Sequence, residues 1–399
     1  MHILKVVQAY YPFQEKGGPI VKVRALAGAL AQRGHNVSVL TADLGLEGRA
    51  DVDMKIERCP WGWRAEHDLV EAIYLPTVAH YRALTVNPRV IEFCRSALRS
   101  FDLVHFYGLY DLLGPAVSFY CRRYRIPYLI EPMGMNRPID RSIRLKRLWH
   151  RTLGSAFWRS ATRIVATSEL ERHEIIEDHV SPARVVVRHN GVDASSDTAG
   201  LAKASFRIKY GISKEEPLIL FLSRLIPRKG ADTLIRAFSQ SCPDSGLLVI
   251  AGPEGEPGYR GFLEKCALDS GVSRRVIFPG PIYGDEKNAI LKDANLFVLP
   301  SRYENFANVV AEAVACDVPV IISPFCGIGP LVDGRAGLVV SPDERTLAGA
   351  IRRLLDDKAL YGKLKEGCKE VAAQLSWDHL TQLMEGFYIE AMASSNGVH

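Results

Sequence analysis

The 399-residue chain lacks the cysteine spacing of a disulfide-stapled or zinc-bound domain. Its eight cysteines (Cys59, Cys94, Cys121, Cys242, Cys266, Cys316, Cys326 and Cys368) are scattered, without one Cys-x-x-Cys pair. Reduced, mostly buried thiols are the expectation. Long hydrophobic runs are missing too. Nothing approaches the ~18 apolar residues of a membrane-spanning helix. The N-terminal apolar stretch ends before Pro12 and Gly17-Gly18, too soon for a signal peptide. A cytoplasmic chain is expected, with peripheral contact to the inner face of the cell membrane left open. There is no Walker A sequence and no Gly-x-Gly-x-x-Gly fingerprint, which counts against a phosphate-binding P-loop and a dehydrogenase. The segment His173-Glu174-Ile175-Ile176-Glu177-Asp178-His179 carries Glu177 where a zinc-binding H-E-x-x-H helix needs histidine. It reads as a charged helix end. A net charge of +5 is small for this length, and no basic tail or aromatic RNA motif accompanies it, so no nucleic-acid partner is expected.

What is present is a regular alternation. Ile3-Leu4-Lys5-Val6-Val7 reads as a strand, 21–32 as a helix stopped by Gly34, and Val37 to Thr41 as the next strand. Leu103 to Phe106, Tyr128 to Ile130 and Ile164 to Thr167 continue the series. Short, continuous, β-branched runs are those of strands covered on both faces. The pattern restarts after residue 193 with Leu218 to Leu222, Leu247 to Ile250, Val276 to Phe278, Leu296 to Leu299 and Val318 to Ile322. Two doubly wound α/β domains are therefore expected, with Asp193 to Lys203 as linker. Two such sheets in one chain would face a cleft, with ligands outside the carboxyl ends of the strands.

Residues just after strands carry the chemistry. From Leu296 to Cys316 a strand, a loop and a helix follow one another, with Asn308 read as the helix N-cap. Free N–H groups and the positive dipole end there suit a diphosphate. Glu304 in the loop and Glu312 one turn into the helix are carboxylate acceptors for the hydroxyls of a ribose or hexose. Taken alone, Glu312 reads equally as a solvated helix residue. Arg224 and Lys229 stand five apart after the Leu218 strand, where two cations can neutralise a leaving diphosphate. Arg228 between them reads as the solvent-facing one. Gly17-Gly18 after the first strand lets a ligand approach the backbone, or is a plain turn.

In these features the chain resembles the family-4 glycosyltransferases, which have the two-domain GT-B fold. The resemblance rests on Gly17-Gly18, His189-Asn190-Gly191-Val192-Asp193, Ser223-Arg224-Leu225, Lys229-Gly230, Ala251-Gly252-Pro253, Phe278-Pro279-Gly280, the pair Glu304 and Glu312, and Ser376-Trp377. It implies an acceptor-binding domain over 1–193, a donor-binding domain over 194–376, and a helix over 377–399 crossing back to the first domain. It further implies a retaining, metal-independent hexosyltransferase using a nucleoside-diphosphate sugar, a UDP-sugar first, as substrate, with no cofactor. Arg224, Lys229 and Glu304 become the catalytic set. Gly17, Gly18, Gly280, Ile282, Tyr283, Asn305, Phe306, Ala307, Asn308, Val309 and Glu312 become the donor-binding set. The expected acceptor is a lipid-linked glycan, in exopolysaccharide or cell-surface polysaccharide synthesis. Other activities on this fold stay open: sugar-nucleotide epimerisation, transfer to a small cytosolic acceptor, or a non-catalytic sugar-nucleotide-binding protein.

One departure stands out. Many relatives carry histidine in a Pro-His-Gly turn, where this chain reads Glu131-Pro132-Met133-Gly134-Met135. Met133 neither hydrogen-bonds a sugar nor takes a proton at neutral pH. His105, Asp111 and Glu131 are the candidates to replace that contact, His105 being equally readable as structural; Arg137 completes the acceptor side. From Arg137 to Arg163 eight cations stand against Asp140 alone, interleaved with Leu145, Leu148, Trp149, Leu153, Phe157 and Trp158. A basic amphipathic helix of that composition suits an anionic membrane surface or lipid diphosphate, or packs its apolar stripe on the sheet.

Overall fold

The computed structural model describes residues 1–13, 18–44, 46, 55–81, 84–136, 143–192, 205–242 and 245–396. Two compact units result, Met1–His189 with Trp377–His399, and Asn190–Ser376.

The first unit is built on a nine-stranded sheet. Its strands are β1 (His2–Val7), β2 (Asn36–Ala42), β3 (Ile56–Cys59), β4 (Gly62–His67) and β5 (Val70–Leu75). A separate hairpin of β6 (Ala79–Tyr81) and β7 (Leu84–Val86) follows, and then β8 (Leu103–Tyr107), β9 (Tyr128–Glu131), β10 (Arg163–Ala166) and β11 (Val185–Val187) complete the sheet. The order is β11-β10-β9-β8-β1-β2-β5-β4-β3. Pairing is parallel except at the β3–β4–β5 edge, which is antiparallel. That edge lacks the continuous apolar runs of the centre. β4 alternates with only Ala65 buried, so its signal in the sequence is weak.

Both faces of the sheet are covered. On one, Val23, Leu26 and Leu30 of the helix Gly18–Gln32 join Met384, Tyr388 and Ala391 of the helix Trp377–Asn396 over Ile3, Val39 and Leu103. Arg33 reinforces this pairing with Asp378 at 3.1 Å and Glu385 at 3.0 Å. On the other face, Phe93, Val117, Cys121 and Phe157 pack over Leu4, Val104 and Ile130. The long final helix thus belongs to the first unit although it follows the second in the chain.

The second unit has six parallel strands: β12 (Leu218–Leu222), β13 (Leu247–Ala251), β14 (Val276–Gly280), β15 (Leu296–Leu299), β16 (Val320–Ile322) and β17 (Gly337–Val339). Their order, β14-β13-β12-β15-β16-β17, is that of the doubly wound dinucleotide-binding fold. Both units are α/β with mainly parallel sheets, as the alternation of apolar runs predicts. The strand order reverses between β1 and β8 in the first sheet and between β12 and β15 in the second. At such switch points neighbouring loops diverge and leave a crevice at the carboxyl ends.

Candidate functional site

The second switch point brings together residues 75 positions apart in the chain. After β12 the backbone forms a 3-10 turn, Pro227–Lys229, closed by Gly230 at φ 74°. A side chain at Gly230 would place its Cβ 2.5 Å from the Pro300 carbonyl oxygen, so only glycine lets the two loops meet. They are then joined by the Arg302 N–H donating to the Arg228 carbonyl at 2.9 Å. Gly252 has the same role one strand away, where a Cβ would overlap the Ser223 carbonyl. This framework buries Lys229 and directs its ammonium onto the Glu304 carboxylate. Glu304 is itself held by its backbone, its N–H donating to the Phe325 carbonyl at 2.9 Å and its carbonyl accepting from Gly327 at 3.0 Å.

The helix Asn308–Ala315 starts one residue earlier than expected. Asn308 is its first residue, not its cap. The cap position is Ala307, in the left-handed region at φ 73°, with no side-chain cap bond. No side chain caps the first turn, where the Val310 N–H donates to the Ala307 carbonyl at 2.9 Å. The Asn308 carboxamide oxygen instead accepts from Asn190 at 2.6 Å. Ala307 costs about 1–2 kcal/mol of backbone strain, which persists only because neighbours enforce it.

Glu312 lies on this helix, half-buried, 2.8 Å from Lys287. It is thus neither a freely solvated residue nor in contact with Lys229. Ile282 is buried and Tyr283 exposed after Gly280, whose φ is 88°. The assignment of Arg228 to solvent is reversed. Arg224 is the exposed cation, whereas Arg228 is half-buried with its guanidinium 5.9 Å from the Tyr303 ring centre. Gly17 and Arg137 lie outside the described residues, and Gly18 opens the first helix. The chain also contains one Asp-x-Asp tripeptide, Asp51-Val52-Asp53, outside the described residues. The expected linker 193–203 lies there too.

At the first switch point a cavity of about 660 Å³ opens beside Gln8 and Ala9 after β1 and Gly108 to Asp111 after β8. Met133 and Met135 line it, so the turn that departs from the family pattern faces the same space as Asp111. Met133 sits at φ 55°. Asp111 is buried and accepts the Gly114 N–H at 2.6 Å. Burial pushes its carboxyl up to about 6, against the downward pull of the Gly114 and Leu113 N–H groups. Its pKa is therefore higher folded than unfolded. The stability this gives is complete below the unfolded value near 4 and is lost as pH rises through about 6. At ~1.4 kcal/mol per unit the loss is about 3 kcal/mol. Asp111→Asn, which keeps the acceptor for Gly114, is expected to remove this loss. Thermal unfolding of the variant and the native chain, compared from pH 4.5 to 8, checks it.

His105 and Glu131 do not line the cavity. His105 is wholly buried, its Nδ1 2.8 Å from the Tyr388 hydroxyl and 3.0 Å from that of Tyr107. Burial, and then the charges of Lys5, Arg188 and Lys22, drive its pKa well below the ordinary value, so it stays neutral. Glu131 is wholly buried between Lys22, which it pairs with directly, and Arg188 at 2.7 Å. Both read as structural. Lys22, Arg188 and Tyr388 were not singled out from the sequence. Only Lys5 left a trace, as the one charge in an apolar strand. Just above this cluster, the Gly134 N–H donates to Glu171, tying the Met133 turn down.

The expected single basic helix is in fact two short ones, Ile143–Arg151 and Leu153–Arg159, with Arg163 on β10. The break falls at Thr152, whose φ and ψ are −117° and −108°. Phe157 packs in the core, while Leu148 and Leu153 are exposed.

Comparison with known proteins agrees with this arrangement. The family "Glycosyl transferase 4-like domain" matches residues 17–191 and "Glycosyl transferases group 1" matches 202–372. The chain belongs to the group 1 glycosyltransferases. Among curated relatives, D-inositol 3-phosphate glycosyltransferase of Mycobacteroides abscessus is 32% identical over 58% of this chain and 53% of its own length. The corresponding protein of Jonesia denitrificans is 30% identical over 56% of each. The chain thus spans just over half the length of these relatives. An uncharacterized glycosyltransferase of Methanocaldococcus jannaschii is 25% identical over 96% of both chains. Among solved structures, Anabaena Alr3699/HepE in complex with UDP has a TM-score of 0.75 at 20% identity, over 98% of this chain and 100% of that one. Sucrose-phosphate synthase from Thermosynechococcus elongatus has 0.71 at 23% identity, over 98% and 99%. At these identities the structures show a shared GT-B fold.

Proposed function

We infer that the chain transfers a hexosyl group from a nucleoside-diphosphate sugar, a UDP-sugar first, to a hydroxyl of a glycan acceptor. The observation that carries this is the Lys229–Glu304 pair at the β12/β15 switch point, next to an uncapped helix start. Lys229 and Arg224 stabilise charge on the departing diphosphate, and the first-turn N–H groups of Asn308 and Val309 add their dipoles. Glu304 accepts from hydroxyls of the donor sugar, and Glu312 from the ribose. The acceptor binds the cavity of the first unit. Transfer occurs with retention and without a metal: the acceptor hydroxyl attacks the face from which the diphosphate leaves, and a phosphate oxygen takes its proton. The C1–O bond to the diphosphate breaks as the C1–O bond to the acceptor forms. The relatives named for D-inositol 3-phosphate and the UDP complex of the HepE neighbour support a nucleotide-sugar donor.

A thermal-shift panel of nucleotide sugars tests the reading. One or a few donors raise the melting temperature by several degrees, while silence across the panel would exclude a nucleotide-sugar site. A lipid-linked glycan of the cell surface is the proposed acceptor. Exposed Leu148 and Leu153 flanking Arg151 support contact with an anionic membrane. Co-sedimentation is then stronger with anionic than with neutral liposomes; equal, negligible binding to both removes the membrane contact.

A further inference from the structure

The turn that walls the first unit's cavity is held from outside the cavity. Met133 stands at φ 55° and Gly134 at φ 78°, two left-handed residues in succession. A methionine in that region persists only where its neighbours enforce it. Three backbone points of the turn are tied. The Met135 N–H donates to the Pro132 carbonyl at 3.1 Å. The Tyr110 hydroxyl donates to the Met135 carbonyl at 2.9 Å. The Gly134 N–H donates to Oε1 of Glu171 at 2.5 Å.

The last of these ties is the long-range one, to a residue 37 positions further on. Glu171 lies in the first turn of the helix Glu169–Glu177, which follows β10. Ser168 caps that helix, its hydroxyl oxygen accepting the Glu171 N–H at 3.1 Å. A glutamate at this place ordinarily returns its carboxylate to the N–H of the capping residue. Here Oε2 accepts the N–H and the hydroxyl of Thr167, one residue earlier, at 2.7 and 2.8 Å, and Oε1 is turned to Gly134. One carboxylate thus spans the end of β10 and the turn after β9. Glu171 is wholly buried and is not among the described residues lining the cavity. What it holds, however, is the cavity wall. Met133 and Met135 both line the cavity. Their thioether ends converge on Gly108, where a Cβ would stand 3.6 Å from the Met135 sulfur and 3.8 Å from the Met133 methyl.

Three donors meet on the Glu171 carboxylate, which only accepts. Glutamine would turn an NH₂ donor onto one of these N–H groups. Aspartate keeps the charge but is one methylene shorter, so it reaches Thr167 or Gly134 and not both. Resting on the acceptor reading above, we propose that Glu171 is the positioning residue of the acceptor wall: by holding the Gly134 N–H it fixes Met133 and Met135 against the cavity, and it touches no ligand itself.

NMR on the full chain with methyl-labelled methionine tests this. Met133→Leu and Met135→Leu identify the two wall signals. In Glu171→Gln and Glu171→Asp both wall signals move or broaden, while those of Met384 and Met392 on the final helix stay in place. A merely structural glutamate would disturb all four or none. The native chain supplies a second reading that needs no variant to fold. Its Gly134 amide proton exchanges at least about a hundredfold more slowly than an unprotected one. Gly134 is half-buried, so that protection comes from the bond. Exchange at the unprotected rate overturns the proposal. So do wall signals that stay put in a folded variant, or all four signals moving together. If neither variant folds, the native amide decides. UDP raises the melting temperature of the native chain and of each folded variant alike, because it reports on the second unit. If that shift persists while the methyl signals fail, this inference alone falls; if UDP shifts none of them, it is the transferase reading that falls.

Discussion

Replacing Lys229 with alanine lowers turnover by about 10²–10³-fold and leaves acceptor affinity within about threefold. That factor is typical for removing one preorganised donor to charge that develops in a transition state. The reason lies in the burial of the side chain. Lys229 is 6% exposed and its ammonium already sits on Glu304, so no reorganisation is needed when the diphosphate takes on charge. An exposed cation such as Arg224 has more water to compete with, so Arg224→Ala has the smaller effect. Alanine at 229 also leaves a gap beneath the β12 loop, which could act on folding alone. Lys229→Met, which refills the volume without charge, separates the two. It restores the melting temperature and keeps the loss in turnover, whereas Lys229→Arg recovers part of the rate. Single-turnover rates for the three variants, with melting temperatures alongside, make the comparison. Near-normal turnover in the alanine and methionine variants would remove Lys229 from the reaction.

Glu131→Ala destabilises the chain by about 3–5 kcal/mol at pH 7, the usual cost of leaving a buried charge without its counter-ion. Glu131 is wholly buried against Arg188, Lys22 is 6% exposed, and Lys5 sits wholly buried beneath. Burial, together with the charge of Arg188, holds the ammonium groups of Lys5 and Lys22 well below the usual lysine range. For a base with a depressed folded pKa, the unfolded chain binds more protons in the interval up to about 10.5. Stability therefore rises with pH across that interval. The deficit of the variant is largest at neutral and lower pH and shrinks as pH approaches 10, when the lysines shed their charge. Glu131→Gln, which fills the space and keeps one acceptor, loses less. Urea unfolding of both variants at pH 6, 8 and 9.5 makes the check. A deficit independent of pH would mean that packing, not charge, is what Glu131 supplies.

Much of this architecture could be read before the fold was known. Buried parallel strands are covered on both faces, so Leu218 to Leu222 or Leu296 to Leu299 stand out as unbroken apolar runs. The antiparallel edge, β3 and β4, went unnoticed because a strand with one wet face mixes polar residues into a run of only four to six. The basic segment 137–163 reads as one amphipathic stretch, and the local marks of its break, Thr152 at a helix N-cap and Gly154 two residues on, are weak beside the run of cations and apolar residues. The N-cap was misplaced by one residue because asparagine is a good cap in isolation. Here Ala307 is forced into the left-handed conformation by its surroundings, and Asn308 is engaged with Asn190.

The strand-end positions of the proposed donor residues were legible for a related reason. Arg224, Lys229, Glu304 and Glu312 each follow a strand in a doubly wound domain, and strand order alone brings such loops together. The acceptor side was not. Asp111 and Met133 share a cavity, but His105 and Glu131, equally close to strand ends, turn inward. The direction in which a side chain leaves a strand depends on register across the sheet, which no single strand encodes.

Local pattern alone thus establishes two α/β domains and the strand-end positions of Lys229 and Glu304, because apolar periodicity and strand-end position are properties of short segments. Three things come only from long-range packing: the return of the last helix to the first unit, the seating of Glu131 between Lys22 and Arg188, and the tie between Glu171 and the Met133 turn. Each depends on residues tens to hundreds of positions apart meeting in a space that only the completed sheet defines.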